Sequence, residues 1–157
     1  MLAVCDKLGP AAPIKLRGSS NMCVDSTGAD FRTALHLKPC SGSNSQHFNI
    51  DGFGDIRLND TSAACDQGPP CCAEHYWGLN DVVSLRGCTG NWSDFKVADY
   101  EWKYVNTSGA LQTVKALDGS YSFKKVQGCM TATKTGEVHL MACNASDPNQ
   151  AWDVTVP

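Results

Sequence analysis

The stretch Leu35-His36-Leu37-Lys38-Pro39-Cys40 has the pattern apolar-x-Leu-x-x-Cys, and this pattern occurs three times in the chain. The second copy is Val83-Ser84-Leu85-Arg86-Gly87-Cys88, and the third is Val138-His139-Leu140-Met141-Ala142-Cys143. Self-similarity of this kind is the mark of a repeat architecture. Because residue type and order match in all three, the sequence predicts three copies of one structural unit.

Further residues outside the pattern recur in the same order. After each copy come a polar loop and an aromatic-x-aliphatic triplet; the triplets are Phe48-Asn49-Ile50, Phe95-Lys96-Val97 and Trp152-Asp153-Val154. Another cysteine precedes each copy, at Cys23, Cys65 and Cys129. The distance between successive copies is irregular, so we expect loops of different length between similar cores.

The local pattern is that of β-strands. Apolar and polar residues alternate within the three copies, and also in Ile14-Lys15-Leu16 and Ile56-Arg57-Leu58, as in strands with one buried face. Clusters of Gly, Ser, Thr and Asn separate these segments, and no segment has a helical period with caps. The sequence therefore predicts an all-β barrel with pseudo-threefold symmetry, built from three repeats of four strands.

Composition limits the class of protein. The chain has 157 residues, with 13 Lys and Arg against 16 Asp and Glu and a net charge of −3. The length predicts a single domain over residues 1–157. The negative charge argues against binding of nucleic acid or an anionic membrane, and the apolar runs are too short to span a bilayer.

Cysteines and glycosylation sequons indicate secretion. Nine cysteines in a chain of this size are typical of an oxidising compartment. Four Asn-x-Ser/Thr sequons accompany them, at Asn59, Asn91, Asn106 and Asn144. Met1 to Val4 is too short for the core of a signal peptide, so we expect any export signal to have been removed. The sequence predicts a secreted glycoprotein.

Motifs for catalysis are missing from the sequence. It has no Gly-x-Ser-x-Gly, His-Glu-x-x-His, phosphate-binding loop or dinucleotide fingerprint. We therefore expect no enzymatic activity and no cofactor. A zinc site at Cys71, Cys72 and His75 is the sharpest alternative, but it lacks a fourth ligand at a typical spacing, so we expect no metal.

The first repeat resembles a ricin-B-type β-trefoil lectin repeat. The resemblance is carried by Cys23-Val24-Asp25, by Leu37-Lys38-Pro39-Cys40 and by Gln46-His47-Phe48, and Gln150-Ala151-Trp152 is an intact closing Gln-x-Trp motif. It implies a single disulfide-stabilised β-trefoil, with repeats over about 12–54, 55–101 and 102–157.

The repeats imply disulfides within each unit. The expected pairs are Cys23–Cys40, Cys65–Cys88 and Cys129–Cys143. Cys5, Cys71 and Cys72 remain. Because neighbouring cysteines rarely bond to each other, we expect Cys5 to pair with Cys71 or Cys72.

In the resembling family each repeat has a shallow sugar pocket, with an Asp two residues after the first cysteine and a stacking aromatic two residues before the second. The first repeat has Asp25, with Lys38 at the stacking position and His36, Asn44 and Ser45 nearby. The second has Asp66, with Arg86 at the stacking position. The third has Thr131 and Met141 instead, so no repeat has the full set.

Each candidate also has a purely structural interpretation. Asp25 and Asp66 could be turn residues that bind their own backbone. Tyr76 and Trp77 could stack on a sugar from the long loop of the second repeat, or could cover the core beneath it. Residues 66–82 and 107–128 form insertions, and long loops often carry binding function.

The resemblance implies a secreted carbohydrate-binding module for galactose-type or related glycans, whose partners are glycans or glycoproteins. Asp25 is its expected anchor, and Asp66 a second one. The alternative is a secreted trefoil interaction protein that has lost sugar binding and binds a host or target protein through its loops, as an effector, a toxin component or a protease inhibitor. A third alternative is a domain of a larger secreted enzyme.

Overall fold

The computed structural model describes residues 10–19, 21–30, 32–50, 54–60, 62–63, 65, 70–75, 79–88, 102–114, 117–119 and 122–155. These ranges contain fifteen β-strands: β1 (Ala12–Pro13), β2 (Lys15–Leu16), β3 (Met22–Asp25), β4 (His36–Pro39), β5 (His47–Ile50), β6 (Ile56–Leu58), β7 (Cys71–Glu74), β8 (Ser84–Gly87), β9 (Trp102–Val105), β10 (Ala110–Thr113), β11 (Leu117–Gly119), β12 (Ser122–Val126), β13 (Gly128–Ala132), β14 (Val138–Ala142) and β15 (Trp152–Asp153). Two short 3-10 turns, Asn44–Gln46 and Pro148–Gln150, precede β5 and β15.

The strands form four antiparallel sheets. Their orders are β1-β5-β6-β7-β8, β15-β2-β3-β4, β14-β13-β10-β9 and the hairpin β11-β12. Strand β15 near the end of the chain pairs with β2 near its beginning, through Trp152 opposite Leu16. The described ranges hold no α-helix, and none of their helical segments has the length and apolarity to cross a membrane. The all-β prediction is confirmed.

Three equivalent residues meet in a ring of backbone hydrogen bonds. The amide of Leu35 donates to the carbonyl of Val83 at 2.8 Å, that of Val83 to Val138 at 2.9 Å, and that of Val138 to Leu35 at 2.8 Å. All three are the first apolar residues of the recurring sequence pattern, and all three are buried. The recurring strands are thus related by an approximate threefold axis.

Large side chains fill the core around this axis. Phe48 and Trp152, which close the first and third repeats in the sequence, are buried, as are Ile14, Ile56 and Trp102 at the repeat starts. The indole N–H of Trp152 donates to the carbonyl of Met130 at 2.9 Å, so its one polar atom is satisfied inside the core. These residues form one continuous apolar cluster.

Four disulfides cross-link the strands. Cys23–Cys40 and Cys129–Cys143 join residues 17 and 14 positions apart, as expected. The prediction of a Cys65–Cys88 bond is wrong, because Cys65 is bonded to Cys71 and Cys88 to Cys72. The neighbouring cysteines lie in β7 with their side chains on opposite faces of the strand, so each reaches a different partner.

This pairing also excludes one expectation and one alternative drawn from the sequence. Cys5 cannot bond to Cys71 or Cys72, since both are already oxidised, and neither sulfur can serve a zinc site with His75. No cluster of three or more metal-binding side chains is found in the part of the chain that the structure describes. Cys72–Cys88, separated by 16 residues, is the counterpart of the disulfides in the first and third repeats.

Candidate functional site

The candidate site lies at the end of β3, where Asp25 faces β4. Asp25 is directly opposite His36, and Cys23 is opposite Lys38. Because alternate residues share a face of a strand, His36 and Lys38 project on the same side of β4 as Asp25 on β3. Strand pairing thus brings together three of the residues that the sequence indicated.

The Asp25 carboxylate is held by neighbouring donors. Its Oδ1 accepts a hydrogen bond from the backbone amide of Thr27 at 2.7 Å, which is an Asx turn. Its Oδ2 accepts from the side-chain amide of Gln46 at 2.9 Å and from the hydroxyl of Ser45 at 3.3 Å. Asp25 therefore makes the turn contact that the structural interpretation predicted, and the three hydrogen bonds also fix the orientation of its carboxylate.

Lys38 covers this carboxylate. Its Nζ lies 3.4 Å from Asp25 Oδ1, and its side chain is 44% exposed whereas that of Asp25 is only 5% exposed. Lys38 occupies the place at which the resembling lectin repeats have a stacking aromatic ring. The structure thus places a cationic side chain over Asp25, as the sequence indicated by Lys38 at the stacking position.

The environment of Asp25 favours its charged form. Burial acts to raise the pKa of the carboxyl, but the hydrogen bonds from Thr27 and Gln46 and the charge of Lys38 outweigh it, so the pKa is lowered. Asp25 is thus an anion at neutral pH, with acceptor oxygens only.

Gln46 is the link between the carboxylate and the loop that follows Cys40. Its Oε1 accepts from the amide of Ser41 at 2.8 Å, and its Nε2 donates to the carbonyl of Pro39 at 3.0 Å as well as to Asp25. Gln46, which the sequence indicated only as part of the closing motif, is thus a residue of the site. Ser45 and Asn44 were both named as nearby polar residues; Ser45 contacts Asp25, whereas Asn44 is exposed at the start of the 3-10 turn.

The second repeat presents a different carboxylate from the one expected. In the hairpin β7–β8, Cys72 is opposite Arg86 and Glu74 is opposite Ser84, which is the arrangement of Cys23, Lys38, Asp25 and His36. Glu74 therefore occupies in β7 the register that Asp25 occupies in β3. The spacing of 16 residues between Cys72 and Cys88 could have identified this disulfide, and hence Glu74, from the sequence.

Glu74 differs from Asp25 in its accessibility. It is completely buried, and its Oε1 accepts a hydrogen bond from the hydroxyl of Ser84 at 3.1 Å. Beside it, the buried ring of His75 packs edge-on against Trp102, with 4.9 Å between ring centres. Asp66, Tyr76 and Trp77, the other candidates here, lie outside the described residues.

The third repeat has no carboxylate at this position. Thr131 lies opposite His139 and Cys129 opposite Met141, and the Thr131 hydroxyl donates to its own strand, to the carbonyl of Cys129 at 2.9 Å. Asp25 is thus the one acidic residue at this register, among those the structure describes, whose side chain reaches solvent.

A small cavity lies in the third repeat, away from Asp25. It has a volume of about 70 Å³ and is lined by Gln112, by the Cys129–Cys143 disulfide, and by Asn144 and Gln150. It contains none of the residues that the sequence indicated for sugar binding, and Asn144 enters it only as a sequon residue.

No protein-family profile matches the chain, and no curated protein sequence matches it. Solved structures do match. A β-trefoil lectin of the Vibrio vulnificus hemolysin/cytolysin, with N-acetyl-D-lactosamine bound, is similar with a TM-score of 0.67 at 13% identity over 95% of both chains. Abrus precatorius agglutinin has a TM-score of 0.63 at 16% identity, covering 93% of this chain and 46% of that one.

A third similar structure is that of GalNAc-T7 with UDP, GalNAc and Mn²⁺. Its TM-score is 0.64 at 18% identity, and the match covers 94% of this chain but only 22% of that chain. The chain thus spans about a fifth of GalNAc-T7, less than half of the agglutinin and nearly all of the Vibrio lectin. These similarities confirm the β-trefoil fold.

Proposed function

We propose that this chain is a secreted carbohydrate-binding module that holds a glycan at Asp25. The observation that carries the proposal is the fixed, ionised carboxylate of Asp25 at the end of β3. Such a group is already oriented, and it can accept hydrogen bonds from neighbouring sugar hydroxyls that take the place of Lys38. Similar structures include a lectin solved with N-acetyl-D-lactosamine, which supports a sugar as the ligand class.

The module has one such site among the described residues. Glu74 in the second repeat is completely buried, and Thr131 in the third repeat has no negative charge. We therefore do not propose that one chain gains avidity from two sugar-binding sites.

We propose that the chain itself is not a catalyst. It corresponds to nearly the whole of the Vibrio lectin but to about a fifth of GalNAc-T7, as expected for a binding module that occurs alone or within larger proteins. Galactose-type sugars remain the first candidates, because the Vibrio lectin was solved with N-acetyl-D-lactosamine.

Secretion is supported by the cross-links and the sequons. Four disulfides within one small fold are typical of oxidising compartments. Asn59, Asn106 and Asn144 are exposed and accessible to glycosylation, while Asn91 lies outside the described residues.

Binding of a host or target protein is the second candidate function. One observation favours it: the Lys38 ammonium covers Asp25, and this position carries no aromatic ring. A trefoil that has lost sugar binding would bind its partner through its loops instead.

A glycan array compares the two functions. The wild type is screened beside Asp25→Asn, which keeps the shape of the side chain but removes its charge, and beside Asp147→Asn. Asp147 is a matched control because its carboxylate also accepts from a backbone amide two residues on, that of Asn149 at 2.9 Å. We expect Asp25→Asn to lose binding and Asp147→Asn to retain it.

The contrary result is binding that survives Asp25→Asn, which would place the site elsewhere on the trefoil. A blank array for the wild type would favour the protein-binding function. Circular dichroism of each variant checks its folding. Ser45→Ala, which removes the 3.3 Å bond to Asp25 together with the 2.8 Å contact to the Ser43 hydroxyl, provides a milder second variant.

A further inference from the structure

We infer that Lys38 makes the Asp25 pocket selective for anionic glycans, meaning sugars that carry a carboxylate or a sulfate. This inference rests on the proposed function, because it names the ligand class of the same pocket. It depends on three features: the saturation of the carboxylate, the mobility of its one charged partner, and the lack of a stacking ring on β4.

The Asp25 carboxylate has no vacant side for a sugar. Thr27, Gln46 and Ser45 donate hydrogen bonds to it, and Lys38 adds an ion pair. A carboxylate has about four acceptor sites. A sugar hydroxyl that approaches Asp25 must therefore displace one of these four groups.

Lys38 is the group that can move. The Thr27 donor is backbone, and Gln46 is buried and tied to Ser41 and Pro39. The Lys38 side chain is 44% exposed and sits at 3.4 Å from Asp25, the longest of the four distances. A bound sugar thus displaces the Lys38 ammonium from Asp25 towards solvent. The ammonium then lies at the edge of the sugar.

A displaced ammonium changes which ligands are favourable. A neutral sugar would separate the ion pair between Lys38 and Asp25 without offering the ammonium a new anionic partner. A sugar with an anionic substituent gives the ammonium a new partner, so the charge on the lysine remains compensated. The ligand's hydroxyls would then bind Asp25 while its anionic group binds Lys38.

Neighbouring side chains agree with this charge preference. His36 projects from the same face of β4, and it lies in a backbone bridge with Glu137. The carboxylate of Glu137 is already bound by His139 at 3.0 Å. The acidic side chain that the bridge places beside His36 is therefore already in contact with the His139 ring.

Neutral sugars also lack their usual apolar contact here. A stacking aromatic ring removes the C–H face of a sugar from water, and Lys38 holds that position in the first repeat. The corresponding residues opposite Cys72 and Cys129 are Arg86 and Met141, so none of the three hairpins has a ring there. The energy of binding must come from polar and charged contacts.

The test uses N-acetyllactosamine and two anionic derivatives of it: the 3′-sulfated form, which adds only the charged group, and the 3′-sialylated form, which adds a whole carboxylated sugar. Affinities are measured for the wild type, Lys38→Gln and Lys103→Gln. Lys103 lies exposed on β9 in another sheet and is the matched control for the loss of one positive charge. The two anionic probes distinguish a carboxylate from a sulfate.

We expect the wild type to bind at least one anionic probe about tenfold more tightly than the neutral one. Lys38→Gln should lose this preference by weakening the anionic probes and tightening the neutral probe, because no ion pair with Asp25 has to be separated when the sugar binds. Raising the salt concentration should weaken only the anionic probes. Lys103→Gln should behave as the wild type.

Two results would overturn the inference. Equal binding of all three probes by the wild type would leave the glycan-binding proposal intact and refute charge selection. An anionic preference that survives Lys38→Gln would place the cationic contact elsewhere. If no probe binds and the wider array is also blank, the proposed function itself fails and the inference fails with it.

Discussion

The side-chain amide of Gln46 donates to the Asp25 carboxylate at 2.9 Å, whereas Gln150, its counterpart in the third repeat, has no carboxylate to bind. Otherwise the two residues make the same contacts. Each accepts from the amide that follows the second cysteine, Ser41 or Asn144, and each donates to the carbonyl that precedes it. The closing Gln thus fixes the backbone on either side of the second cysteine in both repeats. In the first repeat it also orients the Asp25 carboxylate.

This difference predicts unequal losses of stability. Gln46→Ala and Gln150→Ala each remove two bonds to the backbone from a buried position, but only Gln46→Ala also removes a bond to a charged group. We expect Gln46→Ala to lower the free energy of unfolding by roughly 1.5–3 kcal/mol more than Gln150→Ala. Urea denaturation measures both, and equal losses would contradict the assignment.

Asp25 also makes stability depend on acid. Its pKa is lowered in the folded state, so the stabilisation is present at pH values above the unfolded pKa of about 3.9 and is lost as the pH falls through the folded value. We expect Asp25→Asn to be less stable than the wild type at neutral pH. Below the unfolded pKa the difference should shrink, and a series of urea midpoints against pH would show it.

A control for the acid experiment is Asp60→Asn. The pKa of Asp60 is also lowered, through hydrogen bonds from the hydroxyl and amide of Ser62. Asp60→Asn should therefore change the pH dependence of stability in the same direction as Asp25→Asn, but it should leave glycan binding unchanged. A pH profile for Asp25→Asn that parallels the wild type would refute the lowered pKa.

The disulfides make a prediction about Cys5. Eight of the nine cysteines form four bonds within the chain, so Cys5 has none of them left as a partner. Denatured, unreduced protein should titrate one thiol per chain, or else run as a disulfide-linked dimer, and Cys5→Ser should abolish either signal. A peptide map that contains Cys65 linked to Cys88 would contradict this pairing.

Two glycines with positive φ should respond differently to alanine. Gly28, at φ 77°, has open space around the added methyl, whereas at Gly54, at φ 93°, the methyl would overlap the backbone carbonyl of Trp102. We expect Gly28→Ala to cost about 1 kcal/mol and Gly54→Ala about 3 kcal/mol or more. Thermal or urea unfolding of the two variants tests this, and similar losses would argue against the close contact.

Glycosylation is testable at two turns. Asn106 and Asn144 are exposed, and the Asn144 side chain accepts from both the amide and the hydroxyl of Ser146 in its own sequon. Protein secreted from eukaryotic cells should carry glycans at both, seen as a mass that falls after enzymatic deglycosylation. Asn106→Gln and Asn144→Gln should each remove one glycan, and unchanged masses would count against secretion.

The fold was predictable because its signal is repeated and local. The alternation in Leu35-His36-Leu37 and its two counterparts needs only neighbouring residues, and the closing aromatics Phe48 and Trp152 are buried as their type suggests. Asp25, His36 and Lys38 could be grouped for the same reason, because strand pairing is regular.

Other parts of the site depend on contacts that sequence order does not reveal. Cys65 was taken as the partner of Cys88 because the repeat pattern implied one disulfide within each unit, which left Cys71 and Cys72 over. Only the alternation of β7 shows that their sulfurs point in opposite directions. The interaction of Gln46 with Asp25 was hidden in the same way, since it joins residues 21 positions apart through side chains alone.

The ring formed by Leu35, Val83 and Val138 makes the repeats interdependent. Each of these amides finds its acceptor in a different copy of the sequence pattern, so no copy can satisfy its own backbone there. Such long-range pairing favours all-or-none unfolding and slow folding. Leu35 adjoins His36, which faces Asp25. A substitution that disturbs the backbone at Val138 would therefore also disturb the strand that positions His36 beside Asp25, although the two lie in different repeats. The three repeats therefore depend on one another for satisfied backbone hydrogen bonds at this ring.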